Sequence, residues 1–105
     1  MPERRKPRTL GALLYDGFEL LDLYGPLEMF GTLGPERVRI VTVAEHRGPV
    51  ASAQGPQTVA EHAFDDSPRL DLVLVPGGVG TLAALTNEPL LAFLRERAAT
   101  AERTM

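Results

Sequence analysis

The sequence predicts an α/β domain: a mostly parallel sheet with helices on both faces. Three observations carry this. Leu10–Tyr15 and Leu72–Val75 are short, near-continuous apolar runs, the pattern of strands covered on both sides. Val38–Ala44 is β-branched and reads as another strand. Helical patterns alternate with these strands, an order that gives parallel pairing through crossover connections.

The elements follow in order. Residues 1–9 read as a basic, flexible tail with Pro2 and Pro7, which discourage regular structure. Strand Leu10–Tyr15 ends at the turn Asp16-Gly17. Leu20, Leu23, Leu27 and Phe30 share one helical face, but Pro26 falls inside the pattern. Proline is tolerated in a first turn and not in a helix interior, so the helix is expected over 26–33, after an irregular lead-in at 19–25. Gly34-Pro35 ends it, and the strand Val38–Ala44 follows. Segments 49–53 and 57–60 flank Gly55-Pro56 as a short antiparallel hairpin. Residues 64–69 read as a polar loop before strand Leu72–Val75. Asn87 caps a second helix with Glu88 and Pro89 in its first turn, and Leu90, Leu91, Leu94, Ala98 and Ala101 on one face. Arg103–Met105 reads as the start of a further strand. The set makes a doubly wound domain that is expected to be incomplete within these 105 residues.

Composition narrows the function classes. Hydrophobic residues make up 44% and charged residues 24%, ordinary for a globular domain and against disorder. No apolar run approaches the roughly 18 residues of a membrane span, and no signal peptide is evident, so a cytoplasmic location is expected. Zero cysteines exclude disulfides, thiolate metal sites and a cysteine nucleophile within this sequence. The net charge is −3; Arg4, Arg5, Lys6 and Arg8 against Glu3 give the first eight residues +3, leaving −6 on the rest. An acidic body suits nucleic-acid backbones poorly, so no nucleic-acid contact is expected through this segment.

Two places stand out as candidate sites. Val75-Pro-Gly-Gly78 lies at the carboxyl end of a core strand, where open α/β sheets bind ligands. Gly77 and Gly78 permit close backbone approach, and their amides can face an oxyanion. A plain tight turn is the competing account. Asp22, between Leu21 and Leu23 just past the first strand, is the second. Partial desolvation there would raise its pKa and suit it to share or transfer a proton; a carboxylate bonding local amides is the alternative. Glu19 and Asp16 read as exposed. The stretch Gly78–Ala83 spells G-x-G-x-x-A, but it follows a late strand instead of the first of a βαβ unit, so no dinucleotide cofactor is expected. His46 and His62 lack partners at ligand or triad spacing and read as surface residues. Asp65-Asp66 lacks a third ligand, so no metal is expected.

The residues Tyr15-Asp-Gly-Phe18, Leu21-Asp-Leu-Tyr-Gly-Pro-Leu-Glu-Met-Phe30, Leu72-Val-Leu-Val-Pro-Gly-Gly78 and the helix 87–97 resemble the ThiJ/PfpI superfamily, the group containing Parkinson disease protein 7. The resemblance runs over 10–105 and is strongest to its isonitrile-hydratase-like branch and to the amidase-like domains of bacterial transcription regulators. It implies a flavodoxin-like three-layer sandwich of the glutamine-amidotransferase-like kind, usually a homodimer. It also implies a cysteine on a strand-to-helix elbow, hydrogen-bonded by an acid that Asp22 matches, in a pocket lined by Gly77 and Gly78. In the hydratase-like branch that cysteine attacks an isonitrile carbon, and water addition gives an N-substituted formamide. The cysteine elbow is not among these residues. The expectation is therefore the N-terminal half of such a domain, inactive alone and acting on a small molecule when completed. The alternatives are the sensing domain of a regulator or a truncated remnant.

Overall fold

The computed structural model describes residues 6–78, 87–100 and 103–104. Its elements are β1 (Arg8–Leu13), α1 (Leu20–Gly31), β2 (Val38–Ala44), β3 (Gly48–Ala51), β4 (Gln57–Ala60), β5 (His62–Ala63), β6 (Leu72–Leu74), α2 (Glu88–Thr100) and β7 (Arg103–Thr104). A 3₁₀ turn occupies Phe64–Asp66. The main sheet has the order β5-β2-β1-β6-β7, and each of its described pairs is parallel. β3 and β4 form a separate antiparallel hairpin. The fold is thus the expected flavodoxin-like α/β sandwich.

Side-chain alternation along the strands builds two cores. From β1 and the residue after it, Leu10, Ala12 and Leu14 point to the α1 face, where Phe18, Leu23 and Leu74 complete a buried cluster. Leu13 points to the opposite face and packs with Val41, Val43, Leu70, Val73, Leu90 and Phe93. Gly11 shares that second face, where a Cβ would stand 2.4 Å from Leu70 Cδ1.

Four expectations change. α1 begins at Leu20, six residues before Pro26, and the proline lies inside it. Pro26 forfeits one intrahelical hydrogen bond, worth about 3 kcal/mol with its steric clash. Burial of Leu23 and packing of Leu27 and Phe30 on the core offset this. β1 begins at Arg8, inside the segment read as tail, with Thr9 held by Asp71: its N–H donates to Oδ2 at 2.8 Å. His62 is in a short edge strand, not a loop, and its side chain is only 26% exposed, 3.9 Å from Asp66. On α2 the deepest anchors are Leu90 and Phe93, and Phe93 stacks on Phe64 with centroids 4.4 Å apart. The side chain of Ala98, Ala101 and Met105 lie outside the described residues, and so do 1–5 and 79–86.

Asn87 caps α2 as expected: its Oδ1 accepts from the Leu90 N–H at 3.1 Å, and its Nδ2 donates to Glu45 Oε1 at 3.1 Å.

Candidate active site

The sheet order places a topological switch point between β1 and β6. The chain leaves β1 for β2 on one side and later crosses back to β6 on the other, and in open α/β sheets the carboxyl ends of the strands at such a point are where ligands bind. The β1–α1 loop and the Pro76-Gly77-Gly78 turn meet there.

Their contact is close and specific. The Tyr15 hydroxyl donates to the Pro76 carbonyl at 2.5 Å. The Glu19 N–H donates to the Gly77 carbonyl at 2.7 Å. Gly78 has φ +146°, a region that favours glycine, and a Cβ on it would stand 2.4 Å from the Gly17 carbonyl oxygen and 2.7 Å from the Glu19 nitrogen. No side chain fits between the two loops.

Asp22 completes the group. It lies in the first turn of α1, and a Cβ on Gly77 would stand 3.1 Å from its Oδ2. The carboxylate therefore rests directly over the glycine turn. The structure thus brings together Asp22 and the Gly77-Gly78 turn, which are far apart in sequence. Two details differ from the sequence reading. Asp22 sits on a regular helix and is exposed, whereas Glu19 is half-buried. An exposed carboxylate at the switch point can accept a hydrogen bond from, or share a proton with, a group brought to it.

The hairpin braces the β1–α1 loop and the start of α1. The Gly17 N–H donates to the Ala51 carbonyl at 2.9 Å, and the Ala53 N–H to the Phe18 carbonyl at 2.8 Å. Gln54 reaches the helix start, where its Oε1 accepts from the Leu20 N–H and its Nε2 donates to Glu19 Oε2. The sequence marks Tyr15 only as a strand end and part of a family motif, and does not mark Gln54 at all. Tyr15 carried a signal, an aromatic residue at the carboxyl end of the first strand. Gln54 carried none, since its partners are 34 and 35 residues away.

A separate cavity of about 230 Å³ lies beyond the β1 and β2 carboxyl ends, beside the start of α2. Leu14, Tyr15, Glu45, His46, Phe64 and Asn87 are among its lining residues; Asp22 and Gly77 are not. Among the described residues, no group of three or more His, Asp or Glu side chains could hold a metal ion. Likewise no helix there is long and apolar enough to cross a membrane.

A doubly wound parallel sheet with an acid and a glycine turn facing each other at its switch point defines an α/β protein with its candidate site at the strand carboxyl ends. The comparisons make this specific. Residues 10–105 match the DJ-1/PfpI family, and the chain belongs to that family. It is 36% identical over 92 residues to isonitrile hydratase of Pseudomonas putida, a match covering 88% of this chain and 40% of that protein. It is 35% identical over 101 residues to the HTH-type transcriptional regulator GbdR of Pseudomonas aeruginosa, covering 92% of this chain and 27% of the regulator. A ThiJ/PfpI family protein from Pseudomonas syringae superposes with a TM-score of 0.88 at 34% identity, over 99% of this chain and 47% of that one. The chain thus spans less than half of each of these relatives.

Proposed function

We propose that residues 10–105 form the N-terminal half of an isonitrile-hydratase-like ThiJ/PfpI domain that acts on a small molecule in a cytoplasmic homodimer, without a cofactor. The placement of the Asp22 carboxylate over Gly77 carries this reading. These residues hold no cysteine, so the nucleophile has to come from polypeptide outside them. In the proposed reaction its thiolate attacks the terminal carbon of R–N≡C, and that carbon takes up a proton to give a thioimidate. Water then adds to the same carbon and the thiolate leaves with the electron pair of the C–S bond, giving R–NH–CHO. Asp22 holds the thiol and passes the proton. The amides of Gly77 and Gly78 line the pocket that receives the substrate.

The test uses the protein encoded by the complete reading frame. It is incubated with a simple alkyl isonitrile, and formamide is quantified by mass spectrometry. Formamide is expected, with Asp22→Asn lowering kcat by about 100-fold or more. The 105 residues alone are expected to give none. A folded complete protein without turnover would overturn the hydratase reading.

A second reading is favoured by the match to the regulator, which covers even more of this chain than the match to the hydratase. Here the domain senses a small molecule and a DNA-binding segment lies elsewhere. Ligand-dependent DNA binding by the complete protein, without turnover, would select it.

A further inference from the structure

α1 lacks a cap of its own. Its N-cap residue is Glu19, in extended conformation, and the Glu19 side chain makes no capping hydrogen bond. A helix start leaves N–H groups without intrahelical partners, and an uncapped start frays. Asp22 lies in this first turn, so fraying there would move the carboxylate off the glycine turn.

Gln54 supplies the missing cap from the hairpin. Its Oε1 accepts from the Leu20 N–H at 3.2 Å, and its Nε2 donates to Glu19 Oε2 at 3.0 Å. One amide thus bonds the first helical N–H and also ties down the carboxylate beside it. The hairpin that carries Gln54 is itself fixed to the β1–α1 loop by two backbone hydrogen bonds and by the parallel bridge Phe18↔Ser52. Tyr24, one turn further along α1, bonds the Thr58 hydroxyl of β4. Gly55, at φ +109°, lets the hairpin turn tightly just past Gln54.

We propose that Gln54 is a positioning residue: its side-chain amide, held by the β3–β4 hairpin, caps α1 and sets Asp22 over the Pro76-Gly77-Gly78 turn. The inference rests on the reading of Asp22 as the acid of the site. It assigns the hairpin a role in aligning that acid, in addition to its packing.

The test uses the complete protein with two readouts. Gln54→Ala is expected to lower kcat by about tenfold with KM within twofold, because a carboxylate displaced by a fraction of an ångström acts poorly on bound substrate. Gln54→Glu is expected to do the same, since it sets two carboxylates against each other. Glu19→Gln in that variant restores an N–H···O bond with donor and acceptor exchanged, and kcat is expected to return to within about threefold of the parent. The second readout is structural. Nuclear Overhauser effects between Asp22 and Gly77, expected from the 3.1 Å approach of Oδ2 to the Gly77 Cβ position, weaken in Gln54→Ala and return in the double variant. Gln54→Met, which keeps the side-chain length and removes both hydrogen bonds, stands in if Gln54→Ala does not fold. Unchanged kcat and an unchanged Asp22–Gly77 contact in Gln54→Ala overturn the proposal; so does a double variant no better than Gln54→Glu. If Asp22→Asn is itself silent, the reading of Asp22 has failed, and the Overhauser contact alone decides the role of Gln54.

Discussion

At Gly78 the nearest obstacles to a side chain are backbone atoms of the β1–α1 loop: the Gly17 carbonyl, the Phe18 carbonyl carbon and the Glu19 nitrogen. Backbone there cannot yield without parting the loop from the turn, and φ +146° adds strain for any other residue. Gly78→Ala is therefore expected to destabilise by about 3 kcal/mol or more, measured by denaturant unfolding. Gly77 is a different case. A Cβ there meets the exposed carboxylate of Asp22, which can swing aside. Gly77→Ala is expected to change stability by less than about 1 kcal/mol while moving Asp22 off the turn. Equal losses at the two glycines would refute this contrast. Asp66 offers a residue-scale test in pH. Asp66 is exposed; some lost hydration pulls its carboxyl up, but the Ala63 N–H, the Arg47 guanidinium and the His62 ring outweigh it and hold the carboxyl below its ordinary 3.8. A depressed acid stabilises the fold above its unfolded value, and the contribution is lost as pH falls through the folded value. Asp66→Asn is thus expected to lower the Tm at neutral pH, the gap narrowing as the pH falls below 3.8 and closing only below the folded value. A gap that persists in acid would show that the charge is not what matters.

At the scale of elements, Asn87 is the one capping residue legible in sequence that the structure uses as expected. Its loss in Asn87→Ala is expected to destabilise by about 1 kcal/mol, read by thermal unfolding, because the Leu90 N–H then has no acceptor. No loss would mean that the helix end is satisfied in another way. The strands were legible because their apolar runs reflect burial on both faces, which is a local property of the sequence. α1 was half legible. Its Leu20–Leu23–Leu27–Phe30 face was plain, but the proline rule placed its start six residues late, since packing of that face on the sheet overrides a local penalty. β5 was not legible. Two residues, His62 and Ala63, form a strand only because β2 offers them an edge. The site divides along the same line. As candidates, Asp22, Gly77 and Gly78 stand out by residue type next to strand ends, whereas Gln54 is bonded to partners that only the folded hairpin brings near.

For the molecule as a whole, protection should follow the sheet order. β1 is central, paired along six residues with β2 and three with β6, and both of its faces are buried in separate cores. β6 is less secure. Beyond it, the described residues place only Arg103 and Thr104, paired with Leu72 and Val73. The relatives are more than twice as long as the part of them that this chain matches, and a longer neighbour for β6 is the simplest way for a parallel sheet to protect that side. Native-state hydrogen exchange reads this directly, since amides in the most stable unit exchange only through global unfolding. In the 105-residue chain, the amides of Leu10–Leu13 are expected to exchange together at the global rate, and those of Val73 and Leu74 at least about tenfold faster. In the protein encoded by the complete frame, β6 is expected to slow to the β1 rate. Equal protection of β1 and β6 in the short chain would mean that β7 already secures the edge. Exchange without any slow set would mean that the 105 residues do not hold a cooperative fold, and the account of a remnant would then stand above that of a working half-domain.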